Sequence, residues 1–93
     1  MNNPNLAFVH GNGGSTIEDI WFPEAKTELE AFGVEVAAQT MPDNMLARSS
    51  MWLPFIENVL GANDSSIIVG HSSGAVAAMR YAETLRIFGS VLV

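Results

Sequence analysis

The segment Gly70-His71-Ser72-Ser73-Gly74 has the Gly-x-Ser-x-Gly form, in which a serine hydroxyl can attack a carbonyl carbon. The chemistry implied is acyl transfer, and the spacing has a mechanical reason. A sharp strand-to-helix turn holds the central serine in a strained backbone conformation, at a cost of about 1 to 3 kcal/mol. The turn thereby lifts the hydroxyl clear of the sheet. Gly70 and Gly74 are needed because backbone packs there against a neighbouring strand and helix, leaving no room for a Cβ. The same turn aims the first amides of the following helix, that of Ser73 included, at an oxyanion formed beside Ser72. Ser72 is the candidate nucleophile and Ser73 the first candidate oxyanion donor. The competing reading is a helix capped by Ser72 or Ser73, with the glycines serving only the turn.

A second loop, His10-Gly11-Asn12-Gly13-Gly14, could supply the other donor, since glycines let bare amides approach a tetrahedral intermediate. The amide of Asn12 is the candidate. A phosphate cradle is the rival, but Gly-x-Gly-Gly matches neither Gly-x-Gly-x-x-Gly nor a Walker sequence, and no lysine follows. A serine hydroxyl needs a base, and the chain offers only His10 and His71. His71 adjoins Ser72 on the turn, so its side chain should diverge. His10, before a glycine loop, is better suited to bracing that loop by hydrogen bonds. Asp19, Asp43 and Asp64 are read as capping, turn or solvated residues. No residue of the chain plainly serves as general base.

These residues must be positioned by the elements around them, and hydrophobic periodicity suggests what those are. Leu6 to His10 is a short apolar run closed by the glycine cluster, a buried first strand. Ser15 or Thr16 could cap a helix in which Ile17, Trp21, Ala25, Leu29 and Phe32 recur at helical spacing before Gly33. Val34 to Thr40 reads as a second strand, broken at Met41-Pro42-Asp43-Asn44. A second helix starts at Ser49 or Ser50, carries Trp52, Phe55, Ile56, Val59 and Leu60, places Pro54 near its first turn and ends before Gly61. Ser66 to Val69 is β-branched and apolar on both faces, as expected of a central parallel strand. A third helix follows, with Val76, Met79, Ala82, Leu85 and Phe88 as its expected apolar stripe, and Gly89 to Val93 reads as a fourth strand. This βαβαβαβ order implies right-handed crossovers and a three-layer α/β fold with a mostly parallel four-stranded sheet. Ligands of such sheets sit at the carboxyl ends of strands where the winding reverses, which points to the loops after the first and third strands.

Composition narrows the class. The 93 residues are 48% hydrophobic and 15% charged, so a folded core is expected. They read as a single domain, 1–93, well under the roughly 200 residues that α/β enzymes usually need. Ten acidic against four basic residues repel phosphate backbones and anionic lipid, which argues against nucleic-acid and membrane partners. Met1 to Asn5 has no basic start leading to a signal-type apolar run, and no apolar stretch has the length of a membrane span. The absence of cysteine removes disulfides and thiolate metal sites, so a cytoplasmic protein without cofactor or metal is the expectation. Trp21, Trp52, Phe55 and Met79 are expected in the core; Met41, Met45 and Met51 suit gap filling as well as an acyl pocket.

The run Ala75-Val76-Ala77-Ala78-Met79-Arg80-Tyr81-Ala82-Glu83-Thr84 after the serine motif resembles the retinoblastoma-binding-protein-type serine hydrolases, a family of small α/β-hydrolases. Gly11-Asn12-Gly13-Gly14, Met41-Pro42-Asp43 and Trp52-Leu53-Pro54-Phe55 resemble that family in order and spacing too, so the likeness spans the chain. The resemblance implies a nucleophilic serine at Ser72 and first and third strands lying side by side. It also implies an aspartate and a histidine from a carboxyl-terminal half, which makes these residues an amino-terminal half that is catalytically incomplete on its own. Some family members carry a Leu-x-Cys-x-Glu segment for pocket proteins; this chain has no cysteine, so that partner is not carried over. The expected substrate is a small ester, thioester or amide. The alternatives are an interaction module that pairs or self-associates through its last strand, and a flavodoxin-like nucleotide-binding domain.

Overall fold

The computed structural model describes residues 5–93; the reading of Met1 to Asn5 as lacking a basic signal-type start lies, all but Asn5, outside the described residues. The elements are β1 (Leu6–Val9), α1 (Phe22–Ala31), β2 (Val36–Ala38), α2 (Ser49–Asn58), β3 (Ile67–Gly70), α3 (Ser73–Thr84) and β4 (Gly89–Leu92), in the expected alternation. All strand pairs are parallel and the sheet order is β2-β1-β3-β4. The chain winds from β1 to β2 on one side and then crosses to β3 on the other, so the reversal falls between β1 and β3. The loops leaving their carboxyl ends therefore splay apart over a crevice.

Side chains alternate across a strand, and β1 shows how the sheet divides two cores. Phe8 points to one face and packs with Phe22 of α1 and Val36 of β2. Ala7 and Val9 point to the other, joining Ile68 of β3, Trp52 and Ile56 of α2, and Ala78 and Tyr81 of α3. Tyr81 is buried and its hydroxyl donates to the Ala62 carbonyl at 3.3 Å. Burial, and then the Glu57 carboxylate, push that phenol above its ordinary range.

The helices depart from the periodicity in three instructive places. The first helix starts at Phe22, not near Ser15 or Thr16, because Pro23 occupies its first turn and the preceding residues are turns, with Ile20 at φ 48°. Thr16 and Asp19 instead close a local turn, the Thr16 amide donating to the Asp19 carboxylate at 2.9 Å. Phe32 lies beyond the helix and is 87% exposed. In the second helix, Pro54 lies inside the element and not in its first turn, and Val59 is exposed. The third helix turns Val76 and Met79 of the expected stripe outward and ends before Leu85 and Phe88, which are exposed beyond it, whereas Gly74, Ala77, Ala78 and Tyr81 are buried. Close approach to the sheet decides this, because a Cβ on Gly74 would run into the Val9 carbonyl oxygen and lie 2.7 Å from that of His10. Small residues let the start of the helix sit on β1, Val76 and Met79 face away, and Tyr81 is the one large side chain of the helix that is buried.

Candidate active site

Ser72 sits at the junction of β3 and α3 with φ 59° and ψ −119°, a conformation an L-residue holds only when its surroundings impose it. Those surroundings are visible. Gly70 faces the first turn of α3 so closely that a Cβ there would strike the Gly74 carbonyl and lie 2.7 Å from the Ala75 nitrogen. Hydrogen bonds extend the sheet past the turn: His71 N–H to Val9 O at 3.0 Å, Ser72 N–H to Val93 O at 3.0 Å, and Val93 N–H to Gly70 O at 2.9 Å. The strand neighbours thus clamp the turn from both sides, and Ser72 itself is left exposed. Its side chain lies over the glycine loop, with Oγ 3.8 Å from where a Gly11 Cβ would be.

The loop after β1 is held to its neighbours by hydrogen bonds that need positive φ at Gly13 (75°) and Gly14 (85°). Gly13 N–H donates to Met45 O at 3.4 Å and Gly14 N–H to Asn44 O at 3.1 Å, while Asn44 Nδ2 returns a bond to Ser15 O at 2.7 Å. Ser15 Oγ donates to Asn12 O at 2.9 Å. The two site loops are joined directly: Ser73 Oγ donates to Asn12 Oδ1 at 2.6 Å. Asn12 Nδ2 points to Met45 O at 3.5 Å. The backbone amides of Asn12 and Ser73 enter no hydrogen bond among the described residues. Ser72, Ser73, Gly11 and Asn12 are therefore brought together at the carboxyl ends of β1 and β3, as the motifs suggest.

Both histidines are placed beside this seam. His10 is buried, and its Nε2 accepts the Met41 amide at 2.8 Å. An amide can only donate, so the ring proton is on Nδ1, which donates to Gly11 O at 2.7 Å. Both ring nitrogens are thus committed to bracing loops. His71 turns its ring toward Trp21 and Phe22, with centroid separations of 6.3 Å and 6.5 Å, on the α1 side of the turn. Asp43 pairs with Arg48 at 2.8 Å, and the Arg48 side-chain hydrogen bond holds its carboxyl below the ordinary range. Asp19 serves the Thr16 turn. No cluster of three or more metal-ligating side chains occurs among the described residues.

Two cavities flank the seam. One of about 290 Å³ lies on the α1 side, lined by His10, Gly11, Phe22 and His71 among others. The other, of about 240 Å³, lies between α3, the start of α2 and the loop before it, with Asn12, Leu46, Ala47, Trp52, Ser73 and Arg80 in its lining. Met41 is core, and Met45 and Met51 are exposed; Leu46 and Ala47, not the methionines, form the wall. The bond from Ser73 to the Asn12 side chain and the support from Asn44 and Met45 are contributions the spacing alone does not reveal. An amide side chain between glycines was the sole available hint.

No family model matches the chain. It is similar to the serine hydrolase RBBP9 of Rattus norvegicus, 45% identical over 96 aligned positions that cover 100% of this chain and 52% of that protein. The chain thus spans about half the length of the curated relative it matches. Among solved structures it is similar to the ydeN gene product from B. subtilis, with a TM-score of 0.80 and 26% identity over 97% of this chain and 50% of that one. The parallel sheet, the helices and this likeness establish the α/β-hydrolase type of fold.

Proposed function

From a chain related along its whole length to part of a retinoblastoma-binding-protein-type serine hydrolase, we propose a serine hydrolase in which Ser72 is the nucleophile. The observation that carries this reading is the strained Ser72 backbone at a junction where Gly70 and Gly74 admit no Cβ. Strain of this kind persists where the fold over-determines it, and here it exposes a hydroxyl beside two unengaged amides. Ser72 Oγ forms a bond to the carbonyl carbon of a small ester, thioester or amide, and the oxyanion is held by the amides of Asn12 and Ser73. The bond to the leaving group then breaks, and the serine proton passes to that group. Water adds to the acyl-serine, releases the acid and restores the hydroxyl.

The proton shuttle is proposed to be a histidine outside residues 1–93, oriented by an acidic residue also outside them, since His10 is committed to Met41 and Gly11 and His71 faces Trp21 and Phe22. These residues alone are then slow or inactive. No helix among the described residues is long and apolar enough to cross a membrane; a cytoplasmic setting is proposed from the composition. The test is mass spectrometry of the protein, joined to the remaining part of such a relative and quenched during turnover of an activated ester. An acyl adduct on the peptide bearing Ser72 supports the reading, and turnover with no adduct there, or an adduct elsewhere, removes it.

A second reading has one observation in its favour. Among the described residues β4 lies at the edge of the sheet, and Phe88, Val91, Leu92 and Val93 around it are each between 46% and 69% exposed. Such an edge can pair with another chain or a second copy. Sedimentation of the isolated chain distinguishes a monomer from a β4-mediated assembly.

A further inference from the structure

The 240 Å³ cavity begins at Asn12 and Ser73, the residues proposed to hold the oxyanion, and extends along α3 to Arg80. Ser73, Ala77 and Arg80 are spaced i, i+4 and i+7, so they share one stripe of the helix. Seven residues of rise separate Ser73 from Arg80 by about 10 Å along the axis. Helical side chains lean back toward the amino terminus, which brings the guanidinium nearer the reacting end. Between the two ends Leu46, Ala47, Val76 and Ala77 supply apolar surface, and Ser49 and Trp52 complete the wall.

Arg80 and Arg86 take part in no ion pair or side-chain hydrogen bond among the described residues, whereas Lys26 and Arg48 are each paired with a carboxylate, and of the two unpaired guanidiniums Arg80 is the one that lines this cavity. In a chain with ten acidic and four basic residues, an unpaired guanidinium on this cavity inverts the prevailing sign locally. We propose that the cavity is the acyl subsite, and that the acyl arm it accepts is short, apolar where it meets Leu46, Ala47, Val76 and Ala77, and ends in a carboxylate seated on Arg80. This rests on the reading of Ser72 as nucleophile. The cleft of about 240 Å³ gives room for a few carbons between its two ends. The planar guanidinium fork matches a carboxylate through two parallel hydrogen bonds, a match that a neutral terminus cannot make. Hydrolysis would then release a short dicarboxylic acid and an alcohol, thiol or amine.

The test is an NMR titration of the 93-residue chain with monomethyl succinate, monomethyl glutarate and the neutral methyl pentanoate, repeated on Arg80→Ala and Arg80→Glu. Fluorophosphonate labelling of Ser72 is followed separately, in protein joined to the remaining part of a relative. The expected result is saturable shifts at the amides of Asn12, Val76 and Ala77, with the anionic esters binding about three- to tenfold more tightly than the neutral one. That preference should shrink with added salt, vanish in Arg80→Ala and reverse in Arg80→Glu, while the neutral ester binds all three alike. Equal binding of charged and neutral esters, no binding of either, or a preference that survives Arg80→Ala overturns the proposal. If Ser72 is labelled in those cases, the hydrolase reading stands without this specificity. Selective binding with no labelling of Ser72 describes a carboxylate site that serves no hydrolase, and overturns the acyl-subsite assignment together with the reading beneath it.

Discussion

Replacing Gly74 with alanine tests the contact that sets α3 on the sheet. The added methyl would overlap the Val9 carbonyl oxygen and lie 2.7 Å from the His10 oxygen and the Val9 carbonyl carbon. These are backbone atoms at the end of a strand paired on both sides, so no side-chain rotation can relieve the overlap. Overpacking costs about 1 to 3 kcal/mol where side chains can yield; with backbone on both sides, a loss of about 3 kcal/mol is expected. Domains of ordinary stability hold only about 5 to 15 kcal/mol. With a urea slope of about 1 to 2 kcal/mol per molar, the midpoint should fall by about 1.5 to 3 M, or the folded baseline should disappear. Fluorescence of the buried Trp52 reports the transition. Gly13→Ala is the control, since nothing lies within 4 Å of its Cβ position and only its φ of 75° opposes the change, at about 1 kcal/mol. A Gly74→Ala midpoint equal to or above that of Gly13→Ala would refute the reasoning.

Three further outcomes are expected. Ser72→Gly should raise the thermal midpoint, because relief of the strain at φ 59° outweighs the entropy glycine adds to the unfolded chain, for a gain of about 1 kcal/mol; a lower midpoint would contradict the strain. Asn12→Ala and Ser73→Ala each break the 2.6 Å bond between the loops, so each should slow fluorophosphonate labelling of Ser72 severalfold in the complemented protein, and the double variant should be no slower than the slower single one. Asp43 has its carboxyl held low by Arg48, so its contribution is full above the unfolded value near 3.8 and is lost as pH falls through the lower folded value. Asp43→Asn should therefore flatten the acid limb of a stability profile below about pH 4 and leave the alkaline limb unchanged.

The sheet and the site loops were legible because each rests on a local rule. Ser66 to Val69 followed by Gly-x-Ser-x-Gly marks a strand and a sharp turn in consecutive residues, although Val9 and Val93 help hold that turn, and Gly11 to Gly14 marks the facing loop. The helix faces were less legible. Periodicity finds large apolar residues, so it selected Val76 and Met79; contact between Gly74 and β1 instead selects the narrow face of Ala77 and Ala78 for the core. Pro23 likewise overrode the helical spacing of Ile17 and Trp21 by fixing where α1 could begin. His10 bonds its neighbour Gly11 and the distant Met41, so the spacing suggests a brace without naming the far partner.

The most direct measurement is fluorophosphonate labelling, mapped by mass spectrometry, of the 93-residue chain and of the chain joined to the part of a relative such as the rat hydrolase that it does not cover. The expected result is stoichiometric labelling of Ser72 in the joined protein, none in its Ser72→Ala variant, and little or none in the 93 residues alone. A joined protein that folds and yet leaves Ser72 unlabelled, or carries the label on another residue, would contradict the assignment of Ser72 as nucleophile.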